Sequence, residues 1–222
     1  MGREIELKIP LNDSQYEYIF SVITGKNNIP GFSFDNTLLC KIEKEDEYYS
    51  RYSTREESRK NGEPQVIRIR SEKEIFCGDK ICADKINFSD AANPDVQKKS
   101  YFCIKRKVVE NGIELNSENE TFVENAAVIR DILELSGYIK FFEKQKNAIS
   151  SYCNAPQLLK SVFHLELEIV NELKYIEVEV TDENEAAEIV RSALEKFVNA
   201  FGLNPSLKDS RSWMQILGAP VN

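Results

Sequence analysis

Like charges recur in pairs, two residues apart, along seven stretches of this sequence in which charged and apolar side chains alternate. Glu4/Glu6, Glu118/Glu120, Glu166/Glu168 and Glu177/Glu179 are acidic, while Arg68/Arg70, Lys105/Lys107 and Lys144/Lys146 are basic. A period of two marks a β-strand, on which successive side chains point to opposite faces. On such a strand the members of a pair stand roughly 6.5–7 Å apart, and like charges at that distance repel by about 2.5 kcal/mol at an effective dielectric of 20. The opposite faces carry Ile5/Leu7, Ile67/Ile69, Phe102/Ile104, Leu165/Leu167 and Ile176/Val178. Those faces must be covered, and the helices of the chain are what can cover them. The pattern therefore predicts a sheet with one apolar and one charged face. The charged face either stays in water, where the repulsion is slight, or encloses a ligand.

Helices are legible between the strands. Asn12-Asp13-Ser14 is a capping cluster ahead of Tyr16, Ile19, Phe20 and Ile23 at helical spacing, with a stop at Gly25. Residues 123–136 read as a second helix and 183–201 as a third, capped by Thr181 or Asp182 and ended by Gly202. A short last helix holds Trp213, Ile216 and Leu217. Residues 26–36 read as loop, and 54–64, with Asn61-Gly62, as a hairpin tip. Residues 71–100 read as a polar hairpin extension or mobile loop. The runs His164–Ile169 and Tyr175–Val180 form an antiparallel hairpin. No repeat and no Pro- or Gly-rich linker divides the chain, so residues 1–222 are expected to form one domain.

The 29 Lys and Arg against 37 Asp and Glu leave a net charge of −8, which argues against a general nucleic-acid binder. Neither a transmembrane run nor a signal peptide is seen, so no membrane partner is expected. Five scattered cysteines fit a reducing, cytoplasmic compartment. Cys77 and Cys82, with His164 far away, do not compose a zinc site. His164 reads as structural and Trp213 as a core anchor. A monomer and a homodimer both fit the sequence.

If the sheet closes, about eight strands can surround one small ligand. The basic pairs then suit a polyanion such as a triphosphate, and the carboxylates suit a hard divalent cation like Mg²⁺. No glycine-rich phosphate loop of the Walker type is present, so side chains would have to hold the phosphates.

Glu4-x-Glu6-x-Lys8 resembles the ExExK signature of the CYTH superfamily, the triphosphate tunnel metalloenzymes. The later motifs are similar to the family's in their order along the chain: Asp46-x-Tyr48-Tyr49, Arg68-x-Arg70, Cys103-Ile104-Lys105-Arg106, Glu118-x-Glu120, Lys144-x-Lys146 and Glu177-x-Glu179. Arg211-Ser212-Trp213-Met214-Gln215-Ile216-Leu217 closes the series, so the resemblance spans nearly the whole chain. It implies an α+β fold built on an eight-stranded antiparallel closed β-barrel, a tunnel with a charged interior and helices packed outside. It implies Mg²⁺ or Mn²⁺ held by Glu4, Glu6, Glu118, Glu120, Glu177 and Glu179, with Glu166 and Glu168 as further candidates. Lys8, Arg68, Arg70, Lys105 and Lys144 would grip phosphates, with Lys107 and Lys146 beside them. Lys8 and Tyr48 would activate water, which requires a depressed tyrosine pKa. The chain departs from the family pattern at Asn116, where Arg is usual, at Lys146, where Arg is common, and at Glu166 and Glu168, where Asp is frequent. Its 71–100 stretch is also longer than usual.

The activity so implied is metal-dependent hydrolysis of the γ-phosphate of a small-molecule triphosphate, whether inorganic, nucleoside or thiamine triphosphate. Two alternatives remain open on the sequence: a class IV-type adenylate cyclase making cyclic AMP and pyrophosphate from ATP, and a polyphosphate- or nucleotide-binding module without turnover.

Overall fold

The computed structural model describes residues 3–63, 66–77, 96–110, 113–181 and 185–218. Its strands are β1 (Arg3–Leu11), β2 (Ser33–Phe34), β3 (Cys40–Ser50), β4 (Val66–Phe76) and β5 (Gln97–Glu110), followed by β6 (Ile113–Phe122), β7 (Ile139–Asn154), β8 (Phe163–Val170) and β9 (Leu173–Thr181). Five α-helices accompany them among the described residues: α1 (Asp13–Ile23), α2 (Arg55–Lys60), α3 (Ala126–Leu135), α4 (Ala187–Ala200) and α5 (Trp213–Ile216). The strands form one antiparallel sheet in the order β2-β7-β3-β4-β5-β6-β1-β9-β8.

This arrangement corrects the expected closed eight-stranded barrel. The sheet has nine strands, because Ser33–Phe34, read from the sequence as loop, pairs with Cys153 and Asn154 at the end of β7. The sheet is rolled, and β7 meets β8 as well as β3, but the pairing with β8 runs only from Asn147 to Cys153. Along Ile139–Lys146 the edge of β7 away from β3 carries no strand among the described residues. The reason is length: β7 has 16 residues and β8 has 8, so β8 cannot line the whole of β7.

The period of two decides which side of the sheet meets the helices. Ile5, Leu7 and Ile9 of β1, Leu165 and Leu167 of β8, and Ile176 and Val178 of β9 turn to the convex side. There they pack under Ile19 and Ile23 of α1 and Leu194 and Phe197 of α4. Phe197 stacks on Phe163 with ring centroids 4.4 Å apart. Full burial of such side chains is worth about 1.5–3 kcal/mol each, which is what holds the sheet curled with its charged face inward. A smaller cluster places Leu133 of α3 over Tyr49 and Ile69.

Local chemistry sets the helix starts. Asn12 and Gln15 form a reciprocal capping box at α1. Residues 54–64 contain α2, capped by Thr54, in place of a plain hairpin tip. α4 begins at Ala187, and its N-cap Ala186 makes no side-chain bond, so the expected cap at Thr181 does not form; Thr181 ends β9, and Asp182 lies outside the described residues. Residues 71–76 and 97–100 lengthen the β4–β5 pair, while 78–95, including Cys82, also lie outside them. No helix among the described residues is long and apolar enough to cross a membrane.

Candidate active site

Strand register brings the charged pairs together on the concave face. Asp46 of β3 lies opposite Arg70 of β4 on one edge and opposite Lys144 of β7 on the other. Glu6 of β1 faces Glu179 of β9, and Lys8 faces Glu177. Glu166 of β8 faces Glu177, and His164 faces Glu179. Like charges directly opposite one another destabilise a sheet, so these acids need cations close by.

Two cavities open on this face and share Glu6, Arg68, Arg70, Lys105, Lys146 and Glu177. One, of about 130 Å³, is also lined by Lys8, Tyr48, Lys144 and Trp213. Lys8, Arg68, Arg70, Lys105, Lys144 and Lys146 give it six cationic side chains, against the acids Glu6 and Glu177. The other, of about 250 Å³, adds Glu4, Glu120, Glu166, Glu179, Lys44 and His164. One end of the shared space thus favours anions, and the other gathers carboxylates.

At the cationic end Asp46, with no exposed surface, holds the guanidinium of Arg70: Arg70 Nε donates to Oδ1 at 2.6 Å and Nη2 to Oδ2 at 3.0 Å. Lys144 Nζ is 3.5 Å from the same carboxylate. Burial pushes Asp46 up, but the charges of Arg70, Arg68 and Lys144 outweigh it and hold the carboxyl well below its usual range. Burial also pulls Lys144 down to about 8, against the charge of Asp46. The Tyr48 hydroxyl donates to Asp46 Oδ2 at 3.3 Å. Burial and the Asp46 charge push its pKa up, the reverse of the depression that a tyrosine base requires. The ammonium groups of Lys8 and Lys144 lie 5.0 and 5.1 Å from the ring of Trp213, at the start of α5. Its indole donates to Glu177 at 3.2 Å, and Lys8 Nζ donates to the Arg211 carbonyl at 2.8 Å.

At the acidic end two carboxylate triads gather, Glu4–Glu6–Glu179 and Glu166–Glu168–Glu177, each with one oxygen per residue and all within 4.8 Å. In the first, the His164 ring lies with Nδ1 2.6 Å from Glu179 and Nε2 2.8 Å from the Ser150 hydroxyl. His164 brings Glu179 below its ordinary pKa against burial. Lys105 Nζ is 3.8 Å from Glu4. Oxygens on opposite sides of a Mg²⁺ ion stand about 4.2 Å apart, so this all-oxygen set fits a hard divalent ion with small movements. In the second triad the Lys146 ammonium lies 2.6 Å from Glu166, 2.7 Å from Glu168 and 3.2 Å from Glu177. Lys44 also bonds Glu166, at 2.5 Å. Burial and the neighbouring Glu177 charge raise Glu168 to about 8.

Of the sequence candidates, Glu4, Glu6, Glu177 and Glu179, Lys8, Arg68, Arg70, Lys105, Lys144 and Lys146 line these cavities, as do Tyr48, Glu120 and Glu166. Glu120 accepts a bond from Arg68 at 3.2 Å. The side chains of Lys107 and Glu118 lie outside the described ones. The sequence reading gave Asp46 no role beyond its place in a motif and passed over Lys44, although both share the inward face of β3 with Tyr48. Trp213 packs with Val170 and Tyr175, as the core-anchor reading expects, and it also lines the cationic cavity, while His164 lines the other.

A rolled antiparallel sheet with a concave face of paired acids and bases defines the class of fold. No family model and no curated protein matches the sequence. Solved structures do share the fold. The PH1819 protein of Pyrococcus horikoshii is 20% identical, with 96% of this chain and 97% of that one covered and a TM-score of 0.63. An adenylate cyclase candidate from Vibrio parahaemolyticus is 15% identical over 98% of both chains, with a TM-score of 0.61. The Hippeastrum adenylyl cyclase candidate HpAC1, described as having a dominant triphosphatase activity, is 12% identical over 100% of this chain and 99% of that one, with a TM-score of 0.57. At identities of 20% and below, these likenesses show that the fold is shared.

Proposed function

We propose that this chain is a divalent-metal-dependent hydrolase that removes the terminal phosphate of a small triphosphate. The observation that carries the reading is the junction of the two cavities, where a cationic end suited to a phosphate chain adjoins a carboxylate triad suited to Mg²⁺ or Mn²⁺. Lys8, Arg68, Arg70, Lys105 and Lys144 bind phosphate oxygens, the arginines through the forked geometry that matches them. Asp46 aims Arg70 and Lys144, and Tyr48 holds Asp46 instead of acting as a base. Glu4, Glu6 and Glu179 hold the ion, which when bound supplies Lewis-acid neutralisation of phosphate charge. Water attacks the terminal phosphorus, the bond to the bridging oxygen breaks, and the fixed ammonium and guanidinium groups take up the charge left on the departing phosphates.

The test is incubation of the purified chain with tripolyphosphate, ATP or thiamine triphosphate, with and without Mg²⁺ or Mn²⁺, following phosphate, pyrophosphate and cyclic AMP. Metal-dependent phosphate release is the expected outcome. Cyclic AMP with pyrophosphate from ATP would replace hydrolysis by cyclisation, and metal-dependent binding without any product would leave a binding module.

A further inference from the structure

The second carboxylate triad already contains a cation. Glu166, Glu168 and Glu177 come from two paired strands, β8 and β9, and their oxygens surround the ammonium of Lys146 at 2.6, 2.7 and 3.2 Å. Lys146 is 3% exposed, and Glu168 has no exposed surface. Lys146 sits on β7 where that strand is paired with β3, next to the start of its pairing with β8 at Asn147, so its backbone is anchored beside the triad. Both oxygens of Glu168 are without a hydrogen-bond partner among the described residues, although Lys146 stands in ion-pair range of one of them. Such a carboxylate, buried and aimed into the cluster, has the form of a ligand with no proper bond to make. A divalent ion bound to these three residues would occupy the point where the ammonium now sits. The two cannot be present together.

We propose that Lys146 is a tethered cation that fills this second triad, so that the chain takes one divalent ion, at Glu4, Glu6 and Glu179, and can take another at Glu166, Glu168 and Glu177 only when the ammonium is removed. The inference rests on the assignment of the first triad as the metal site. It gives Lys146 a role distinct from that of Lys144, two residues away: Lys144 faces the phosphate end, while Lys146 replaces an ion with a charge that no chelator can strip.

Titration of the full chain with Mn²⁺ alone, with free ion followed by electron paramagnetic resonance, tests this without turnover. The wild type should bind one ion per chain, K146R and E168Q one, and K146A two. The second ion should also restore K146A toward wild-type thermal stability. Two ions in the wild type, one in a folded K146A, or loss of the ion in E168Q would overturn the inference. Should K146A fail to fold even with Mn²⁺, the wild-type and E168Q stoichiometries decide. Failure of the underlying assignment looks different: E4Q and E6Q would then keep the wild-type ion, or the wild type would bind none.

Discussion

Replacing Asp46 by Asn removes the buried negative charge that Arg70 and Lys144 share beside the cationic cavity, while keeping the side chain's shape. Asp46 is fully buried, bonded twice by Arg70, and 3.5 Å from Lys144. Without it, Arg70 and Lys144 lose their nearest carboxylate, while Arg68 keeps Glu120 and Arg70 keeps the more distant Glu72. Breaking a buried ion pair from one side costs roughly 3–5 kcal/mol. In a chain of this size 1 kcal/mol moves Tm by about 2–4 °C, so D46N should melt about 10 °C below the wild type. Tripolyphosphate should raise the melting temperature of D46N by more than that of the wild type, because the bound anion supplies the missing charge. Asp46 is held below its unfolded pKa, so its contribution is present above about pH 4 and fades as pH falls through the lower folded value. The stability curves of the two proteins should therefore converge only in strong acid. Differential scanning calorimetry from pH 3 to 8, with and without tripolyphosphate, provides the measurement. A D46N protein that melts within about 2 °C of the wild type would refute the reasoning, since the pair would then be worth no more than an exposed one.

Glu4→Gln and Glu6→Gln should each abolish metal-dependent phosphate release while leaving the far-ultraviolet circular dichroism spectrum unchanged; unaltered turnover in both would remove the metal assignment. Lys144, lowered to about 8, carries its proton at pH 7 and largely loses it by pH 9. Tripolyphosphate affinity should weaken across that interval in the wild type, and calorimetric titration should find no such break in K144M. Trp213 is the sole tryptophan of the chain and lies against the cationic cavity, so its fluorescence should change on addition of tripolyphosphate. W213A should lose about 3–5 kcal/mol of stability in urea, and a loss under 1 kcal/mol would show that the packing of α5 on Val170 and Tyr175 contributes little.

The alternation at Arg3–Ile9 and along β8–β9 gave the strands and the residues that share each face, while leaving open whether the charged face meets water or encloses a ligand. Which charges meet was not legible there. A slip of one residue in register exchanges the two faces of a strand, and register here is set by pairings between distant segments. Asp46 and Lys44 look in sequence like any members of an acidic and basic run; only the opposition of β3 to both β4 and β7 places Asp46 between Arg70 and Lys144. The same limit made the four acidic pairs look equivalent, although one triad encloses Lys146. The closed barrel failed for a simpler reason: strand count and seam length depend on the two-residue β2 and on the unequal lengths of β7 and β8.

β1 is paired on one side with β6 and on the other with β9, at the far end of the sequence. During synthesis on a ribosome, this leading segment cannot find its second neighbour until nearly the whole polypeptide has emerged. The proposed ion ligands Glu4 and Glu6 therefore meet Glu179 only after β9 has emerged, so a product truncated before β9 would lack the proposed ion site.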